Sequence, residues 1–386
     1  MSNPLPWPRR IATAVLPLIA GLITLCFGPA WWCGKDADDW FAGDPDLQRA
    51  LADEMVAFEA GDTATRTDKT NRYAGEWALV THQMVALGLA QLCLSHPEWS
   101  DEYAPVARVA ALRSFLPEMR DFGTEAWNGE DAIGANASSH GHAYLAYSAL
   151  ALGMAQVVSN DPLPAKVKAD YEALIKAYSL RLGASKTGLI ETYPGQAYPT
   201  DVAAVAGALA IHGRVTGKDH GPELRNWARG VRRVQLDPVS GLVFQRLDAK
   251  TGEPKDAPRG SGTGLAAYFA GFADRSIALE LTEALLRQER SFLGFSGIRE
   301  YGPGHDGWGD VDSGPVILGV SVSATGFALA PLRAYDHPEA FARIFRTTNL
   351  FGLPVSEGGR NRFRTGGPIG NALLFAFLTS GPEVAP

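Results

Sequence analysis

Residues Ala143–Val158 read AYLAYSALALGMAQVV, and Leu163–Leu182, which follow, read LPAKVKADYEALIKAYSLRL. The first segment has no charge on any side. The second carries lysines, acids and an arginine at helical spacing. A helix that is apolar all round has to be surrounded by protein, whereas one with a polar face meets water on that side. The same alternation recurs along the chain. Residues 138–158, 201–216, 260–272 and 314–333 have the inner composition, and charged amphipathic segments at 164–182, 221–234, 275–291 and 337–347 separate or follow them. Helical periodicity also marks 46–60, 75–95, 104–118 and 366–379. Five or six inner–outer pairs predict an all-α fold, an (α/α)6 barrel built as a toroid of helical hairpins. The alternative, an open α-solenoid, would carry a fixed repeat period, and none is present. One short β-hairpin is expected over Gly241–Lys255, GLVFQRLDAKTGEPK, with its turn at Thr251–Gly252.

The 386 residues are 46% hydrophobic and 20% charged, which suits a globular body. A net charge of −7 argues against a nucleic-acid partner. Forty-two glycines and 25 prolines predict many connecting loops with special backbone angles. Ile11–Trp32 has no charge and is long enough to span a bilayer at ~20 residues. Arg9 and Arg10 precede it and an acidic segment follows, which predicts a cytoplasmic N-terminus and a body outside the membrane. No A-x-A site follows the run, so an uncleaved single-pass anchor over 1–33 is expected rather than a cleaved signal. Residues 34–386 then form one barrel domain. Of the three cysteines, Cys26 lies in the apolar run, so at most one disulfide, Cys33–Cys93, is available to the body.

The long loops precede the inner segments, and loops of this length in a compact domain are usually functional. IETYPGQAYPTD, Ile190–Asp201, sets Glu191 and Asp201 among Tyr193, Tyr198 and two prolines. ANASSHGHAYL carries His140 and His142, and PRGSGTGLA carries Arg259. IREYGPGHDGWGDVDSGPVI carries Glu300, Tyr301, Trp308, Asp310 and Asp312. Together they predict a pocket of carboxylates, histidine and aromatics suited to general acid–base work on a small molecule. Duller roles compete with this: Asp201 and Asp312 as helix N-caps, Glu191 as a rim ion-pair partner, His142 as a core histidine, and His140 as structural. The spacing of GSGTG does not fit a phosphate loop. No metal or cofactor is expected, and a homo-oligomer is left open.

The run 188–290 resembles the linalool dehydratase/isomerase family. The likeness lies in an acidic loop before an inner helix, the QLDPVSGLVF turn (Gln235–Phe244), and an Ala-rich inner helix. SHGHAYLAYSALALGMAQV resembles the family's Gly–His at the start of an inner helix and puts the active-site histidine on His142. GIREYGPGHDGWGDVDSGP sets Arg299 and Glu300 in register with its Arg–Glu pair. The resemblance implies an (α/α)6 barrel and a pocket with His142 and carboxylates. The family's cysteine pair falls on Ile190 and Pro199, so linalool or geraniol chemistry itself does not carry over. The expected activity is a lyase or isomerase of an isoprenoid-like alcohol, with Asp201 or Asp312 as acid and His142 or Glu191 as base. Tyr193, Tyr198, Tyr301 and Trp308 would line its pocket. A glycoside hydrolase using paired carboxylates is the second expectation, and a non-catalytic binding protein the third.

Overall fold

The computed structural model of the chain describes residues 7–61, 74–130 and 141–381. It begins with α1 (Trp7–Cys33), α2 (Ala37–Ala42) and α3 (Pro45–Ala60). Asp44 starts α3 by accepting a bond from Leu47 N, and Pro45 takes the first helical position, where no backbone donor is needed. Then come α4 (Ala74–Ser95), α5 (Ser100–Arg113), α6 (Pro117–Ala126), α7 (Ala146–Val158) and α8 (Ala165–Ala184). They are followed by α9 (Pro199–Thr216), α10 (Gly221–Gly230), α11 (Gly260–Ala270), α12 (Arg275–Arg287), α13 (Val322–Ala334), α14 (Pro338–Gly352) and α15 (Gly367–Leu378).

The inner helices among the described residues are α4, α7, α9, α11, α13 and α15. Each packs on the next in that order, and α15 packs back on α4. Ala146–Ala155 of α7 are all buried, whereas α8 buries only one face. Alanine and glycine let these axes approach closely. A Cβ on Gly88 would lie 2.5 Å from Phe375 Cδ1 and 3.2 Å from Ala376 Cα. Gly88→Val is therefore expected to cost ~1–3 kcal/mol of stability by overpacking the α4–α15 contact, read from urea unfolding. An unchanged midpoint would deny that contact. The polar seam of the same pair is satisfied: Gln91 Nε2 donates to Ala376 O at 2.8 Å and Gln91 Oε1 accepts from Tyr268 at 3.1 Å. The helix α4 is apolar enough to cross a membrane, yet it is mostly buried inside the body.

Several boundaries differ from the expectation. The inner segment expected at 314–333 starts at Val322, capped by Ser321, whose Oγ accepts from Ala324 N at 3.0 Å. Before it, Gly314, Leu318 and Gly319 take left-handed angles that no helix interior allows, and the chain forms a hairpin, β3 (Val316–Ile317) and β4 (Val320–Ser321). The hairpin expected at Gly241–Lys255 is reduced to isolated bridges such as Leu247↔Pro254, although the turn at Gly252 is present. Hairpins form instead at β1–β2 (Glu289–Phe292, Phe295–Ile298), at β3–β4, and at β5–β6 (Pro354–Glu357, Arg360–Phe363). Cys26, Cys33 and Cys93 are all free, so the one available disulfide is not made. His140 lies outside the described residues.

Because inner and outer helices alternate in direction, the loops that lead into inner helices gather on one face. Bridges join successive loops there, Ala197↔Leu247 and Arg259↔Tyr301, and Arg299↔Val320 ties the loop before α13 to itself. The last turns of α1 pack on α14, where Asn349 Nδ2 donates to Cys33 O at 2.9 Å, while residues 15–25 are exposed.

Candidate active site

Asp201 sits in the first turn of α9, and its carboxylate does not cap the helix. It turns instead toward the interior of the loop face. Tyr147 Oη donates to its Oδ1 at 2.9 Å and Thr192 Oγ1 donates to its Oδ2 at 2.6 Å. Burial pushes its carboxyl up to about 6; the two hydroxyls pull the other way and the charge of Asp312 adds to the rise.

Glu76 occupies the matching place in the first turn of α4. Burial is the main cause that lifts it to about 7, with Asp312 and Asp201 pushing in the same direction. A hydrogen bond from Tyr193 Oη to Glu76 Oε1, 3.2 Å long, opposes them. A helix N-terminus favours an ionised acid by up to ~1 kcal/mol at exposed sites; here burial and two like charges outweigh it. Asp312 stands at the mouth. The residue as a whole is open to solvent, but its carboxyl lies close against protein, and burial, then Asp310, raise it against the pull of Arg259. It is no helix cap either, since α13 begins at Val322.

These three carboxylates are the chemical centre of the face. Aromatic side chains wall one side. Tyr193 stacks on Tyr144 with centroids 5.9 Å apart, and Tyr198 meets Tyr193 edge-on at 6.5 Å. Tyr198 Oη donates to Gln196 Oε1 at 2.9 Å, and burial pushes its hydroxyl up to about 12. His142 is fully buried behind this wall, in a left-handed conformation (φ 67°), stacked on Trp127 at 4.1 Å. Its carbonyl accepts from Tyr178 Oη at 2.9 Å.

The other expected residues divide. Arg259 Nη1 donates to Asp310 Oδ2 at 2.5 Å and its guanidinium lies over the Tyr301 ring at 5.4 Å. Glu300 is fully buried: Ser261 Oγ donates to its Oε1 at 2.7 Å and Ser261 N to its Oε2 at 3.2 Å. It thus fastens the start of α11 to the loop and lies beneath the face. Glu191 contributes its backbone carbonyl, which accepts from Ala143 N at 3.1 Å. Among the described residues its carboxylate forms no hydrogen bond or ion pair and does not join the three acids. Trp308 is 93% exposed and covers nothing. Sequence reasoning missed Glu76, Tyr147 and Thr192. Glu76 had the same signal as Asp201, an acid in the first turn of an inner helix.

Among the described residues, no group of three or more His, Cys, Asp or Glu side chains has the geometry to hold a metal ion. The arrangement is suited to proton transfer, with Glu76 and Asp201 raised to about 7 and about 6 and Asp312 raised beside them.

No family model and no curated protein matches the chain. Solved structures do. The crystal structure of an unsaturated glucuronyl hydrolase specific for heparin aligns with a TM-score of 0.52 at 11% identity, covering 89% of this chain and 96% of that one. An inactive variant of the alpha-1,6-mannanase GH76A of Salegentibacter sp. HEL1_6, in complex with alpha-1,6-mannotetrose, aligns with a TM-score of 0.49 at 14% identity, covering 88% and 98%. At these identities the likeness concerns the fold. It corrects the expectation of a lyase or isomerase of isoprenoid alcohols, because an enzyme that shares this fold along nearly its whole length is an unsaturated glucuronyl hydrolase. The local pattern behind that expectation, an acidic loop leading into an Ala-rich buried helix, follows from the helical architecture itself and does not specify a chemistry.

Proposed function

We propose that the chain is an (α/α)6-barrel glycoside hydrolase, its six inner helices closing a ring and its three acids opening on a glycan. The observation that carries this reading is the set Glu76, Asp201 and Asp312, all with raised proton affinity, beside a tyrosine wall. Hydrolysis of a glycosidic bond needs one carboxyl that still holds its proton and one that has lost it. Glu76, at about 7, is the acid: near neutrality it donates its proton to the leaving oxygen as the C–O bond breaks. Asp201, at about 6 and steadied as the anion by two hydroxyl donors, is the base: it takes the proton of the water that adds to the anomeric carbon. Asp312 raises both through its charge. Tyr193 and Tyr198, both partly exposed, offer flat faces against which a sugar ring stacks, with Tyr144 buried behind Tyr193. The packing of α15 back on α4 supports ring closure, and the glucuronyl hydrolase shares the fold.

In the same reading residues 34–386 form one catalytic domain held outside the cytoplasmic membrane by α1, with Arg9 and Arg10 on the inner side. The test is incubation of the purified chain with a panel of neutral and uronic-acid-containing glycans, read as new reducing ends. Release that disappears in Asp201→Asn is expected. No release from any member, together with no heat of glycan binding, would overturn the proposal.

A further inference from the structure

The exposed apolar side chains are not scattered. Outside α1, every large apolar residue that the described residues expose, except Val109, lies in a loop leading into an inner helix or in the end turns beside one. That is the face that holds the three acids. The most exposed include Leu318 at 95%, Trp308 at 93% and Phe292 at 72%. Single exposed apolar residues are ordinary, but a concentration on one face marks a contact surface.

Backbone geometry adds an independent sign. The tips of β1–β2 and β3–β4 are two-residue turns with positive φ at both positions: Leu293 (49°) with Gly294 (83°), and Leu318 (53°) with Gly319 (81°). Such turns favour Gly, Asn or Asp at the first position, and β5–β6 follows that preference with Gly358 and Gly359. A leucine there holds a strained backbone conformation. Leu353, 52% exposed, is likewise left-handed at φ 51°. Strained, exposed leucines at projecting tips serve a surface that needs apolar points.

The path of α1 identifies that surface. Phe41 meets Phe341 in the first turn of α14, Gly34 lies against Arg346, and Cys33 is held by Asn349 near its end. Ala30 and Phe27 then reach Gly294 at the β1–β2 tip. Traced toward its N-terminus, the chain climbs the outer wall to the loop face, and the exposed apolar part of α1 leaves the body on that side. Leu293 and Phe292 stand beside the point of departure, and exposed arginines, Arg290 and Arg364, share the face.

We infer that the loop face is the membrane-facing surface of the protein: α1 seats the rim against the bilayer, the leucine tips enter the headgroup region, and the pocket opens toward lipid. Its substrate class is then a glycan carried on a membrane lipid rather than a free soluble polymer. This rests on the hydrolase reading for the substrate and on retention of α1 for the seating.

The test places a polarity-sensitive fluorophore, in a background lacking Cys26, Cys33 and Cys93, at Leu293→Cys, Leu318→Cys or Lys218→Cys. Lys218 is exposed in the loop after α9, at the opposite end of the body. The full chain is reconstituted into phosphatidylethanolamine–phosphatidylglycerol vesicles, some with a spin label at the headgroup. Blue-shifted, quenched emission at 293 and 318, with an aqueous spectrum at 218, is the expected result. Aqueous spectra at all three, or quenching at 218 alone, would overturn the orientation, as would shifts at 293 and 318 that persist in detergent and scale with protein concentration, which would assign the tips to a second copy. Turnover of a headgroup glycan in the vesicles, against the same glycan cleaved free of its lipid, is measured separately. A preference of ~10-fold or more for the lipid-borne form is expected, and equal rates would overturn the substrate class. Loss of all turnover with the probes still in lipid would count against the hydrolase reading alone.

Discussion

Asp201→Asn is expected to lower glycan turnover by ~10²–10⁴-fold, the scale of a lost general base, while leaving the melting temperature at pH 7.5 unchanged or higher. Both Asp201 oxygens accept hydroxyl hydrogen bonds, from Tyr147 and Thr192. An asparagine keeps one acceptor and presents an amide donor to the other hydroxyl, which rotates to accept. The local cost is then ~1 kcal/mol or less. Against it stands the removal of a buried charge that burial and Asp312 both disfavour. Glu76→Gln is expected to cause a comparable loss with a different signature: the alkaline limb of the pH–rate profile, set by the acid near 7, disappears. Activity within ~10-fold of the parent in both variants would remove these residues from the chemistry.

The second large effect is on stability as a function of pH. Folding raises Glu76 from 4.5 to about 7 and Asp201 from 3.8 to about 6. The folded chain therefore binds more protons than the unfolded one between those values. The stabilisation is fully present below the unfolded values and is lost as pH rises through about 6 for Asp201 and about 7 for Glu76. Each rise corresponds to about 3 kcal/mol. Other carboxylates work in the opposite direction. Glu289, held low by its Arg343 hydrogen bonds, contributes stability that is lost on acidification. The difference between parent and Glu76→Gln isolates the site. Denaturant unfolding at intervals from pH 5 to 8 is expected to show the variant gaining on the parent by ~2–3 kcal/mol across that range. Parallel curves would mean that Glu76 is ordinarily ionised in the folded chain.

Much of the helical architecture was legible because its signal is compositional. The contrast between Ala143–Val158 and Leu163–Leu182 is a contrast of burial, and burial is what the structure shows for α7 and α8. Asp201 was legible because an acid at the entrance of an apolar helix is conspicuous. Glu76 was equally placed, but its neighbours in AGEWALV look like an ordinary amphipathic first turn with a favourable N-terminal acid. Only the distant Tyr193, 117 residues away, marks it as part of the cluster that holds Asp201. Glu191 and Glu300 were indistinguishable from pocket acids in sequence, since what separates them is which way each side chain turns. Glu300 turned inward to Ser261. The hairpins were hidden for a related reason. In PVILGVSVS the apolar run reads as helix, and the break depends on left-handed angles at Gly314, Leu318 and Gly319, of which a leucine gives no warning.

The contact of α15 on α4 also constrains how the chain acquires its structure. Gln91 and Ala376, joined by a hydrogen bond, are 285 residues apart. Closing a loop of that size is slow compared with pairing neighbouring hairpins, and α15 is synthesised long after α4. Until then α4, long and apolar enough to cross a membrane, lacks the partner that covers one of its sides. The nascent chain therefore carries, besides α1, a second segment apolar enough to lodge in a bilayer, and the pairing with α15 is what buries that side of it. Truncation before Gly367 is expected to leave a core helix competing for the bilayer, which makes the arrival of α15 a checkpoint on folding.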